Sequence, residues 1–316
     1  MSDKNKENLS EEDYLKKHLG DLEAGKNHFN NDLPFDDAKP VVESARVNDL
    51  QYFNFDVSQL PCGRFYPKGT LLMVRPAQVR EIQAYSMVDD NNFYDIVEKM
   101  NGMLQSCVRV KYSDGKIGSF LELKDQDRLY LIFLIRELTF QQGNSLSVKA
   151  ICPCDNSEVQ VELLTKNFVF HEIDEKLDKF FSHSSSSYRF QLKNGRDYEV
   201  TPPNIGLQKA FTDYIIKETN EKRTPNLAFL KIIPFMLAGR TSITIDGIKA
   251  KLKEFEEMDD ISFQFLNSAV GKMTFGIKEL KKMCECGEEV RTDMQFPNGA
   301  SGIFVIHDAF EAYIKE

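Results

Sequence analysis

The sequence predicts an α+β protein in which small antiparallel sheets and hairpins pack against helices, behind a polar N-terminal arm. Three observations predict it. An apolar content of 41%, with 24 Phe, supplies a real core for 316 residues. Stretches near 147–163 and 188–201 alternate apolar with polar residues, as half-buried strands do. Elsewhere apolar residues recur three and four apart, the period of an amphipathic helix.

Residues 1–45 read as a disordered acidic arm. Residues 1–43 hold 6 Lys against 11 Asp plus Glu, a net of −5 out of −9 for the whole chain. Pro34 and Pro40 interrupt the stretch beyond the charged segment. Such a composition buries too little surface to offset the entropy of ordering. A short helix near Glu11–Leu19 would then form only on a partner.

Order is expected from about Leu50. The segment from Leu60 to Thr70 carries the Pro and Gly of successive turns, and Leu71–Arg75 reads as a strand stopped by Pro76. Asp89 and Asp90 are N-cap candidates for a helix whose stripe is Phe93, Ile96, Val97, Met100 and Leu104. A second helix spans Asp125–Leu138. Its centre, Leu129–Ile135, is apolar all round and should lie between other elements, with Arg128 and Arg136 at its edges in salt-bridge or snorkelling roles. Ser147–Ile151 and Val159–Leu163 read as strands joined through Cys-Pro-Cys-Asp-Asn.

The serine run Ser184–Ser187 beside His183 marks a subdomain boundary, dividing 46–183 from 184–316. Tyr188–Leu192 and Tyr198–Thr201 flank Asn194-Gly195, a type I′ hairpin dipeptide. Leu207, Phe211 and Tyr214 then form a helical stripe. Thr224-Pro225 opens a helix that Pro234 should kink and Gly239 should end. Asp246-Gly247 precedes a helix with Ile248, Leu252 and Phe255 inside, and Asp260 starts one with Leu266, Ala269, Val270 and Met273 inside. Glu289–Phe296 and Gly302–His307 are expected as strands before a short final helix.

The chemically pointed feature is a pair of Cys-x-Cys motifs, Cys152/Cys154 and Cys284/Cys286, each followed by an alternating strand. Six Cys in a chain of this length are no secreted disulfide framework, and closely spaced thiols in a reducing compartment more often bind metal or stay free. Two such turns face to face would offer four thiolates, the tetrahedral set of structural zinc. Gly287 suits a knuckle that needs positive φ, whereas the first motif has Asp155 in its place. A site that holds no metal and a redox disulfide are the alternatives. A closed set of four would leave no open position for substrate. Cys62 and Cys107 stand alone and read as small buried side chains.

Several function classes are disfavoured. No run of about 18 apolar residues occurs, so no membrane span is predicted, and the polar N-terminus lacks the apolar core of a signal peptide. The compartment expected is cytoplasm, or a particle assembled there. The charge of −9 argues against general polyanion binding. A zinc-ribbon nucleic-acid-binding or regulatory protein is the alternative from another class, with Lys281-Lys282 and Lys249–Lys253 as its basic candidates. No glycine-rich phosphate loop and no Gly-x-Gly-x-x-Gly occurs, and His18, His28, His171, His183 and His307 form no close pair. Acidic pairs such as Glu256-Glu257 and Asp259-Asp260 fall at helix ends, where capping explains them. The sequence therefore predicts no enzyme and no catalytic residues.

Leu60-Pro-Cys-Gly-Arg-Phe-Tyr-Pro-Lys-Gly-Thr70, followed by Val74-Arg75-Pro76, resembles the opening of the baseplate (hub) protein family of T-even-like contractile-tailed bacteriophages. Gly118-Ser-Phe-Leu-Glu-Leu123, then Asp127-Arg128 and the apolar helix to Arg136, resembles the family's next landmark. A Cys-containing hairpin after that helix fits as well. Cys62 stands where the family tends to have Ser, and Cys-x-Cys departs from the commoner Cys-x-x-Cys. The resemblance covers about 55–165. It implies a structural virion or tail-assembly component, assembled in the host cytoplasm in multiple copies. Its partners would be other tail or baseplate proteins, met through sheet edges and the N-terminal arm. A neck or portal-ring location is the alternative within that class.

Overall fold

Strand β1 (Phe53–Asp56) pairs antiparallel with β2 (Leu71–Val74), β2 with β3 (Val108–Lys111), and β3 with β4 (Ile117–Gly118). Register sets Leu72 against Val110 and Val74 against Val108, so all four face one side and are buried. The computed structural model describes residues 51–140, 146–296 and 299–305. The acidic arm, His307 and the expected final helix lie outside them.

Two helices fill the excursion between β2 and β3. Helix α1 (Val79–Ser86), which no strong stripe in the sequence announces, is secured by Glu81. Its carboxylate accepts from the Gln78 backbone N–H and from both Nη atoms of Arg75, a buried pair. Helix α2 (Phe93–Cys107) buries Met100 and Leu104 of the expected stripe and half-buries Ile96 and Val97, but Phe93 is 72% exposed. The helix's N-cap is Asn92, which accepts from Tyr94 N and Asp95 N. Asp89 and Asp90 sit too far upstream to reach those amides. Asp89 accepts from Asn91 N instead, and Asp90 from Ser301.

Helix α3 (Arg128–Thr139) follows a 3-10 turn at Asp125–Asp127 and is the centre of the molecule. Every residue from Tyr130 to Arg136 is buried. Phe133 meets Phe168 edge-on and stacks on Phe296. Each such ring or branched aliphatic contributes roughly 1.5–3 kcal/mol by burial. Arg136 is not an edge residue: it is 2% exposed, and its Nε donates to the Ile303 carbonyl.

Strands β5 (Ser147–Ile151) and β6 (Glu158–Glu162) form a two-stranded antiparallel ribbon with Val148 opposite Val161 and Ala150 opposite Val159. β7 (Phe168–Phe170) and the short helix α4 (Glu175–Asp178) come next. A three-stranded sheet has the order β10-β9-β8, with β8 (Phe181–Ser182), β9 (Ser187–Gln191) and β10 (Asp197–Val200). The β9–β10 turn is not type I′. Gly195 has φ +81° but Asn194 is not among the positive-φ residues, Gly195 N donates to Leu192 O, and Leu192 N to Arg196 O. That is a three-residue loop closing on a left-handed glycine.

Helix α5 (Ile205–Asn220) buries Leu207, Phe211 and Tyr214. Helix α6 (Leu227–Ile232) is capped by Asn226 through Phe229 N, so Thr224-Pro225 precedes the cap. Pro234 does not bend a continuing helix. It lies in a 3-10 segment, Ile233–Met236, that replaces one, because proline has no N–H to donate. Helix α7 (Ile245–Glu256) takes Thr244 as cap, placing Asp246-Gly247 inside its first turn. Helix α8 (Asp260–Gly271) is capped by Asp259. The last sheet has the order β12-β11-β7, with β11 (Ile277–Met283) and β12 (Glu289–Thr292). Residues Ser301–Phe304 form a 3-10 turn, not a strand, with Ile303 and Phe304 buried. One cluster of buried side chains runs from Val57 to Phe304, across residues 183 and 184. All described residues belong to the unit Leu50–Glu316.

Candidate metal centre and the buried carboxylate

The two Cys-x-Cys motifs are the hairpin connections of β5–β6 and β11–β12. In the first, Cys152 N donates to Ser157 O and Asn156 N to Cys152 O; in the second, Cys284 N donates to Glu288 O and Gly287 N to Cys284 O. Each loop closes on a residue in the left-handed region, Asn156 at φ 57° and Gly287 at φ 91°. Asn tolerates that region better than most residues, so Asn156, not Asp155, takes the role that Gly287 plays in the other loop. The ribbons lie side by side, with β5 against β12, and Lys282 Nζ donates to the Gln160 carbonyl.

This geometry brings the sulfurs together. Cys152 Sγ lies 3.2 Å from Cys154 Sγ and 3.5 Å from Cys286 Sγ, and all three sulfurs are within 4.8 Å of one another. Four sulfurs at about 2.3 Å around a tetrahedral ion would stand about 3.8 Å apart, so the trio already has the size of a cation's coordination shell. Cys152 is buried, while Cys154 and Cys286 are exposed. Cys284 stands beside Cys152 and Cys286 but outside the tight trio.

The thiols polarise one another. Cys286 is pulled down to about 7 because the Cys154 thiol donates to it, helped by the Glu288 backbone N–H. Cys154 rises for the same reason, since it holds the shared proton for Cys286 and Cys152. At Cys284 the Cys286 backbone works downward, but the neighbouring thiols of Cys152 and Cys286, with burial, leave it raised. A cluster that shares protons in this way releases them when a cation enters. Cys152, Cys154 and Cys286 can together hold a metal ion. Cys62 and Cys107 are fully buried and apart from it.

A second constellation is one that the sequence does not announce. Asp127 is fully buried, and its carboxylate accepts from Cys62 N at 2.7 Å and Tyr66 Oη at 2.8 Å. Tyr66 Oη in turn accepts from Lys124 N at 2.8 Å. Burial pushes the Asp127 carboxyl up to about 7, against the pull of those donors. Asp127 precedes an apolar helix and so reads as a cap, yet it makes no cap bond to its own helix. Its partners lie 61 and 65 residues away, a separation no local pattern reveals. The Leu60–Thr70 turn is thereby fixed to the start of α3.

Compared with known proteins, the chain matches no protein-family profile, no curated sequence and no solved structure.

Proposed function

We propose that this chain is a structural component of a contractile-tailed phage virion, placed in the baseplate or its hub and acting by protein–protein assembly. Zinc held by Cys152, Cys154, Cys284 and Cys286 serves as an internal staple in this reading. The observation that supports it most is where the resembling residues meet. The turn Leu60–Thr70 and the segment ending in Asp127-Arg128 are separate in sequence, yet Cys62, Tyr66 and Asp127 bond directly. Arg75, from the Val-Arg-Pro step, is likewise used inside the fold, on Glu81. These residues serve architecture, as a packing signature would.

The thiol cluster supports the zinc. Three sulfurs already converge, and Cys284 stands beside two of them, Cys152 and Cys286. A closed set of four thiolates supplies folding energy and no Lewis-acid site for substrate. The test is an infection in which the chain is not made. Negative-stain images should show particles with incomplete tails or baseplates, and normal infectious particles would contradict the proposal.

A further inference from the structure

A cleft of about 570 Å³ opens between the Tyr66–Lys68 turn, the serine loop at 183–186 and the loop at 238–241. We propose that it is a carboxylate-binding site whose counter-ion is Lys124.

Lys124 is fixed before any ligand arrives. Its N–H donates to Tyr66 Oη, and the neighbouring bonds Asp125 N to Pro203 O and Ile205 N to Leu123 O hold the backbone on both sides. Lys124 lines the cleft, and its ammonium donates to the Pro202 carbonyl at 2.9 Å and, more weakly, to Thr201 Oγ1, also of the lining, at 3.4 Å. An ammonium has three donors, so one remains. Among the described residues no carboxylate forms an ion pair with it, and Cys62 and Asp127 act on it only through space. A half-buried cation without a paired anion is costly, and desolvation holds Lys124 down to about 8.

The walls supply further donors of the right kind. Ser184, Thr241 and His183 line the cleft, as does Ser185, whose hydroxyl gives its proton to Ser187, and Asn204, the N-cap of the 16-residue helix α5, stands in it. The positive end of that helix adds to the field of the ammonium. The one acid in the lining, Glu122, is already engaged by Tyr112 Oη and Ser119 N. The walls are also built. Ser186 is held at φ 51°, a conformation costly for serine, with its Oγ on the Tyr66 carbonyl. A Cβ on Gly206 would strike the Thr241 carbonyl, so the 238–241 loop is pressed directly onto α5. One fixed ammonium with hydroxyl donors suits a singly charged carboxylate. A phosphate dianion, which places two charges on one group where a dicarboxylate such as glutarate separates them onto two, would call for more cationic charge or an arginine fork.

The experiment is competitive lysine labelling of the full chain near neutral pH, read by mass spectrometry, with glutarate, inorganic phosphate or chloride at equal ionic strength. Glutarate should slow labelling of Lys124 several-fold while exposed Lys193 and Lys222 are unaffected. An unchanged Lys124 rate, or equal protection by chloride, overturns the site. Protection by phosphate equal to that by glutarate overturns its assignment to carboxylates. A short peptide bearing a single Glu distinguishes the source. Stronger protection by the peptide assigns the cleft to a partner's acidic side chain, and stronger protection by glutarate to a small free acid. As a second reading, glutarate should raise the melting temperature of the wild type but not of a folded Lys124→Gln variant.

Discussion

Cys152 and Cys286 meet across 134 residues of chain, and Cys62 and Asp127 across 65, but the two junctions are made in opposite surroundings. The thiol cluster is half in water: Cys154 and Cys286 are exposed, and the bonding among the sulfurs is a sharing of protons. The Asp127 junction is dry, and each donor has one fixed partner. The first can be loaded or emptied from solvent after folding. The second is complete only when α3 and the Leu60–Thr70 turn are both in place, so it belongs to the folding of the core.

That difference orders the effects of substitution. Asp127→Ala should be the most damaging, since it leaves the Cys62 amide and the Tyr66 hydroxyl buried without an acceptor. The expected loss is on the order of 2–6 kcal/mol, from about 1–3 kcal/mol for each of the two orphaned donors. Chemical denaturation measures it, and added zinc should not restore it. Cys152→Ser should cost less, roughly 2 kcal/mol, at the upper part of the usual range for single changes. Its effect should be local. Amide exchange should quicken in 147–162 and 277–292 while 60–75 and 128–139 keep their protection. Uniform loss of protection would erase the distinction between the two junctions.

The dry junction should also be visible as a pH dependence. A free Asp titrates near about 3.9, and Asp127 is raised to about 7. A carboxyl raised on folding contributes stability that is fully present below the unfolded value and lost as pH rises through the folded one. Stability should therefore fall from about pH 4 to about pH 7 through this group and level off above that. Lys124, held down to about 8, changes charge above that window. Asp127→Asn, neutral throughout, should flatten the slope of the denaturation midpoint. Equal slopes in the two proteins would remove Asp127 as its source. The smallest effect expected is Gly287→Ala, where open space surrounds the added Cβ but φ is 91°. Left-handed strain of about 1 kcal/mol should appear, together with weaker metal retention. Gly63→Ala, by contrast, drives a Cβ onto the Val57 carbonyl inside the motif turn and should be much worse.

Much of the architecture is legible in the sequence because its signals are local. The β5–β6 and β9–β10 strands alternate, and the stripes of α2, α5, α7 and α8 repeat at helical spacing. Strand β11 is not legible: Lys278, Lys281 and Lys282 break its alternation, and Leu280 is its one fully buried residue. Short β1, β7 and β8 are too brief to show a period. The caps that residue type suggests fall a few residues early where several Asp, Asn and Thr residues compete, as at Asp89, Asp90 and Asn92. At the candidate site, the four cysteines are readable from spacing alone, and the position of Gly287 in the left-handed region follows from its residue type. Neither Asp127 nor Lys124 is readable in this way. Their roles come from partners brought in by the tertiary fold, and an isolated Asp or Lys carries no such information in sequence.

The central claim is that one metal ion ties the two cysteine hairpins together. It is tested most directly by elemental analysis of the purified chain, coupled to hydrogen exchange before and after chelation. Stoichiometric zinc is expected, with faster exchange confined to β5–β6 and β11–β12 once it is removed. A chain purified without metal, whose exchange in those ribbons is unchanged by added zinc, would contradict it.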